Sequence, residues 1–118
     1  LEYVQDMVES YGYALLNSQQ YETAMQLLGI YDEFAVSADF VFLMGLIYMN
    51  NARFTVAIGE FLKATRMSNY RMEGVNSYRA FYNIGVIYEC LGVTEKARKY
   101  YRMCGNYEPA LKRLSSIG

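Results

Sequence analysis

Histidine is absent from the 118 residues, and this narrows the chemistry open to the chain from the start. Without it no Ser–His or Cys–His pair can activate a nucleophile, and the commonest general base and metal ligand is missing. Two thiols remain, Cys90 and Cys104. They lack the spacing of a zinc site, no neighbouring cation is placed to activate Cys90, and both read as free, mostly buried thiols of a reducing compartment. The carboxylates are scattered over helix-surface positions, with no motif pairing two of them for acid–base work. Gly85 and Gly92 stand seven apart on a helix and its turn, outside any phosphate-binding loop that follows a strand. No cofactor or metal is expected. The chain reads as one that binds rather than catalyses.

Length and composition agree with a single domain large enough to bury a core. Tyr (13) and Met (7) are abundant, with one Pro and no Trp. Apolar runs are all broken before the ~18 residues a membrane span needs, and no signal peptide is visible. The expected setting is therefore the cytoplasm. The net charge of −1 hides an asymmetry. Residues 1–60 hold eight acids and one base, Arg53, whereas residues 61–118 hold ten bases and four acids. Such polarity steers partners or promotes head-to-tail contact. A nucleic-acid role is not expected, because the basic half has no dense cluster beyond Lys96–Lys99 and the acidic half repels phosphate.

The elements that must position any binding residues are set by one spacing. Counting from Tyr78 as position 1, Gly85 falls at 8, Tyr88 at 11, Ala97 at 20, Tyr101 at 24 and Pro109 at 32. Small residues at 8 and 20 let two helices approach closely, aromatics fill the space beside them, and proline closes the second helix. This spacing resembles the tetratricopeptide repeat, a helix–turn–helix unit of about 34 residues. Only position 27 departs, with Cys104 in place of alanine. Two earlier units share the spacing: Gly45, Tyr48, Ala57, Phe61 and Ala64 in one, and Gly12, Leu15 and Ala24 in the other. In the latter Leu28 and Tyr31 make a degenerate match at positions 24 and 27, as expected of a terminal unit exposed on one side. The intervals Gly12–Gly45 and Ala24–Ala57 are both 33 residues. Gly45–Gly85 is 40, so six extra residues fall near Met72–Ser77, as a loop or as a helix extension.

The resemblance implies an all-α fold, a right-handed superhelix of antiparallel helix pairs. Repeats are expected at about 5–37, 38–71 and 78–106, followed by a capping helix over about 107–117. Ser37 and Thr94 are expected to cap helices, as is Asn76 or Ser77. In the first unit the second helix is expected from Tyr21 to about Phe34. On the last helix Lys112 and Arg113 are expected to face outward.

In such arrays the first helix of each repeat lines the concave face. Carried over position by position, the resemblance implies a partner-binding surface of Tyr13, Asn17, Phe42, Leu46, Met49, Asn50, Arg79, Tyr82, Asn83 and Val86. Phe42, Leu46, Met49, Tyr82 and Val86 would form an apolar floor, with Asn50, Arg79 and Asn83 as polar anchors. Leu43 and Cys90, also at lining positions, are expected to pack between repeats. The implied partner is a protein or peptide, with neither nucleic acid nor membrane involved. The subclass that grips a peptide carboxyl terminus with Lys, Asn and Arg is not matched, because Glu9, Tyr13 and Leu43 occupy three of its positions.

Two longer stretches, Glu73–Glu89 and Tyr100–Ala110, together with Phe42–Tyr48, are similar to the repeat region that follows the catalytic domain in some bacterial family 2 glycosyltransferases. The likeness covers about residues 38–115, and the start at Leu1 suggests a piece of a longer chain. It implies an accessory module that docks on a catalytic domain, presents an acceptor, or self-associates. A free-standing adaptor holding an extended or helical peptide is the alternative.

Overall fold

Ala38–Asn50 carries apolar side chains on every side, and a helix of that pattern has to be covered all round. In the computed structural model, which describes residues 2–118, this helix is the centre of the stack. The elements in chain order are α1 (Glu2–Asn17), α2 (Tyr21–Ala24), a 3₁₀ stretch (Met25–Ile30), α3 (Tyr31–Phe34), α4 (Ala38–Asn50), α5 (Phe54–Thr65), α6 (Tyr78–Cys90), α7 (Thr94–Arg102) and α8 (Glu108–Ile117). The result is an all-α helical repeat of tetratricopeptide type. Isolated helices this short are marginal in water, so packing must stabilise them. Phe40, Leu43, Met44 and Ile47 of α4 meet Leu15, Ala24 and Leu27 on one side. Val41 and Phe42 meet Ala57, Phe61, Ala80, Ile84 and Ile87 on the other. A third cluster of Ala97, Tyr101, Cys104 and Ala110 joins α6, α7 and α8.

The glycines at position 8 make room for the side chain that position 24 supplies. A Cβ on Gly45 would lie 2.6 Å from the ring of the fully buried Phe61, and Gly85 yields in the same way to Tyr101. The first unit departs from this register. Its second helix is broken by the 3₁₀ stretch, and Leu27, not Leu28, faces Gly12. With three residues per turn, Leu27 lies directly over Ala24 and Leu28 swings about 120° away. Leu27 is 6% exposed and Leu28 39%. Gly29, a poor helix former, sits inside the overwound stretch.

All three turns between paired helices have the same backbone. Gln20, Arg53 and Val93 donate their N–H groups to the carbonyls of Leu15, Tyr48 and Tyr88 at 2.8, 2.9 and 2.9 Å. Gln19, Ala52 and Gly92 donate to Leu16, Met49 and Glu89, and each has a positive φ, of 61°, 60° and 77°. This is the Schellman closure, which satisfies the last carbonyls of the helix through a left-handed residue. Thr94 is consequently the first residue of α7 and not its cap: Val93 holds the cap position with no side-chain bond. Ser37 does cap α4, accepting from the Phe40 N–H at 3.4 Å. Ser77 stands at the cap of α6 but its side chain makes no capping bond.

Ala52 is an L-residue in a conformation that costs about 1–2 kcal/mol. Glycine removes that strain at an entropic cost of about 0.5–1 kcal/mol. Ala52→Gly is therefore expected to stabilise the fold by about 0.5–1 kcal/mol. The readout is a higher urea midpoint at unchanged slope; a lower midpoint would contradict the assignment of strain.

The six extra residues form a loop and do not extend a helix. Residues 66–77 leave α5 and enter α6 without helical structure. Val75 is fully buried in the central cluster. The Ala38 N–H donates to the Asn69 carbonyl at 2.8 Å, and Asn69 Nδ2 donates to the Val36 carbonyl at 3.0 Å. Gly74, at φ 89°, turns the chain where a Cβ would strike the Tyr78 ring.

Candidate functional site

Helix α1 presents Asp6, Glu9, Ser10 and Tyr13 to one side, since residues three, four and seven apart share a face. With Asp39, Arg71 and Met72 they line a cleft of about 420 Å³. Asp39, at the start of α4, is 2% exposed and accepts the N–H groups of Arg71 and Met72, each at 2.9 Å. The Arg71 guanidinium pairs with both Asp6 and Glu9. Glu9 also accepts from Gln5 Nε2 at 2.9 Å and Ser37 Oγ at 3.3 Å. Burial holds the Glu9 carboxyl above the usual carboxylate range, with the Gln5 bond opposing. The Tyr13 hydroxyl lies buried in this cleft with no hydrogen-bond partner among the described residues. Burial, then the charges of Asp39 and Glu9, push its phenol far above its ordinary value, so it stays a neutral donor.

A second cleft, of about 290 Å³, opens on the third unit. Tyr82, Val86, Glu89 and Cys90 come from α6, Tyr101 from α7 and Arg113 from α8. Arg113 pairs with Glu89, its Nε donating to Oε1 at 3.1 Å, and the Tyr101 hydroxyl donates to the same oxygen at 2.7 Å. The hydrogen bond from Arg113 holds the Glu89 carboxyl below its ordinary value against the pull of burial. Tyr82 stands 5.8 Å from the Tyr101 ring and 5.6 Å from Tyr107. The cleft has an apolar wall and a fixed ion pair at its rim.

The ten residues expected on one groove are distributed over several settings. Tyr82 and Val86 share the second cleft, and Tyr13 lies in the first. Leu46 and Met49 are half-buried against the central cluster. Asn17, Asn50 and Arg79 are exposed and Asn83 is half-buried. Asn50 and Asn83 each turn an amide N–H onto their own helix, donating to the Leu46 and Arg79 carbonyls at 2.8 Å. Phe42 is a correction: it is 4% exposed and packs edge-on against Phe61 at 5.4 Å, inside the core and not on a floor.

Two arginines that close these clefts were not among the expected residues. Arg71 comes from the long loop. Arg113 was expected to face outward, but it falls on the side of α8 that carries Ala110, Leu114 and Ile117, so it turns in while Lys112 stays exposed. The phase was readable, because positions 110, 113, 114 and 117 follow helical spacing. Of the two free thiols, Cys104 is buried and Cys90 exposed, so Cys90 does not pack between repeats as Leu43 does. Burial raises the Cys104 thiol to about 11, which keeps it protonated and inert.

The described helices form an all-α, tetratricopeptide-like helical-repeat fold, and tetratricopeptide repeats generally mediate protein–protein interaction and are generally non-catalytic. Residues 78–111 match the family model described as Tetratricopeptide repeat. No match to a curated protein is found. Among the described residues no helix is long and apolar enough to cross a membrane.

Proposed function

We propose that the chain is a non-catalytic docking module that holds a protein or peptide segment against the third unit. The second cleft supports this reading above all: Tyr82 and Val86 offer an apolar seat beside an ion pair already satisfied by Arg113. A partner side chain entering there desolvates apolar surface without stranding a charge. Leu46, Met49, Asn50, Arg79 and Asn83, on the first helices of the last two units, extend the proposed contact, with Asn17 at its far end. In the finer form of the proposal the module is the accessory repeat region of a bacterial, cytoplasmic glycosyltransferase, and its partner is the adjoining catalytic domain or an acceptor protein. The likeness over residues 38–115 supports that form. A free-standing adaptor would use the same cleft for a separate peptide.

The test expresses the catalytic domain expected from the full reading frame as a separate chain and measures its affinity for residues 1–118 by calorimetry. Val86→Asp is expected to weaken binding by about tenfold or more, as for a central interface residue. Lys63→Ala, on the outer surface, is expected to leave it unchanged. Binding that ignores Val86→Asp in a folded variant would remove the cleft from the proposal. Sugar-nucleotide turnover by this chain alone would remove the non-catalytic reading.

A further inference from the structure

Helix α1 has another face that none of the other described residues covers. Tyr3, Met7 and Tyr11 recur every four residues and so form one line along the helix, at 74%, 55% and 53% exposure. Val4 flanks them at 42%. Tyrosine and methionine are the side chains that interface cores enrich. The hairpin that carries this stripe supplies charge of one sign, and Arg71 from the long loop offsets only Asp6 and Glu9. Residues 2–34 contain six acids and no Lys or Arg, and Glu2, Glu22, Asp32 and Glu33 make no ion pair among the described residues.

The opposite end of the stack is the electrostatic complement. Residues 94–118 hold six bases against two acids. Arg98 and Arg113 are paired, whereas Lys96, Lys99, Arg102 and Lys112 make no ion pair among the described residues. Met103 and Leu111 stand exposed among them at 46% and 43%. A symmetric contact of α1 on α1 would set two all-acidic hairpins against each other. Contact between unlike ends brings opposite charges together, and apolar side chains are exposed on both.

We infer that the partner of the α1 stripe is a second copy of this chain, met head to tail, with the stripe seated on the α7–α8 end. Such an interface is heterologous. Each added copy leaves one head and one tail free, so association continues with concentration instead of stopping at a dimer. Because opposite charges steer and orient the contact, it weakens as salt rises.

The 118-residue chain is followed by sedimentation velocity from micromolar to near-millimolar concentration, at low and high salt. Mass that grows with concentration and falls with salt is the expected result. Two variants at exposed positions then separate the ends: Tyr3→Lys with Met7→Lys at the head, and Arg102→Glu with Lys112→Glu at the tail. Each is expected to weaken self-association by about tenfold or more while helicity by circular dichroism is kept. Mixed together they should form a one-to-one pair that cannot grow, through the intact tail of the first and the intact head of the second. A chain that stays monomeric throughout overturns the inference, as does association indifferent to salt. So does a tail variant that self-associates like the parent while the head variant does not, which would mark a symmetric α1 contact.

Discussion

Phe42→Ala is expected to lower folding stability by about 3–4 kcal/mol. The side chain is almost wholly buried, its ring edge meets Phe61, and Phe61 occupies the room left by Gly45. Truncation removes the transfer free energy of the ring and leaves a cavity between α4, α5 and α6, which packed backbones cannot readily collapse. The lost edge-to-face contact adds about 0.5–1.5 kcal/mol in such pairs. Against a total stability of about 5–15 kcal/mol for a domain, this is a large fraction. Tyr82→Ala should cost less, since Tyr82 is only half-buried and borders open space. Urea denaturation of both variants checks the order. A Phe42→Ala midpoint close to the parent's, with Tyr82→Ala the more damaging, would return Phe42 to the surface.

Asp39→Ala has the second largest expected effect, about 2–4 kcal/mol. The carboxylate accepts two N–H groups from the long loop, one on each oxygen. Hydrogen bonds to a charged acceptor contribute about 1.5–3 kcal/mol each, and some of that is offset by the cost of burying the charge. Its place in the first turn of α4 favours it further, because the helix N-terminus carries partial positive charge. Alanine leaves both amides without a partner. Loss of Asp39 should therefore speed amide exchange at Arg71 and Met72 and expose residues 66–77 to proteolysis. Asp39→Asn should fall between, since its NH₂ group must face one of the two donors. If exchange at both amides stayed slow, the loop would be held by something other than this carboxylate.

Much of the fold was legible because close helix packing writes itself into composition. Gly12, Gly45 and Gly85, each with a small residue twelve positions later, mark where two backbones approach, and the helix starts followed from them. The slip in the first unit was not legible. Whether Leu27 or Leu28 turns inward depends on which one Gly12 receives, and Gly29 was the sole local hint of overwinding. The candidate site was read least well where α4 was concerned. A helix apolar on all sides has no polar face to show which side stays open, so Phe42 and Leu46 looked alike in the sequence. The three equivalent left-handed turn positions were hidden for a similar reason: only Gly92 announces the conformation that Gln19 and Ala52 also adopt.

In an ordinary repeat array each unit touches only its neighbours, and the ends are free to fray. Here the first end is tied down: the Arg71 guanidinium, at the close of the second unit, reaches back 62 residues to Glu9 on α1. Melting α1 therefore frees the Arg71 side chain while Asp39, Asn69 and Val75 still hold the loop, whereas releasing the loop removes the clamp from α1. Opening of α1 should therefore be coupled to release of the Arg71 side chain, so this end of the stack frays less readily than an end without such a tie.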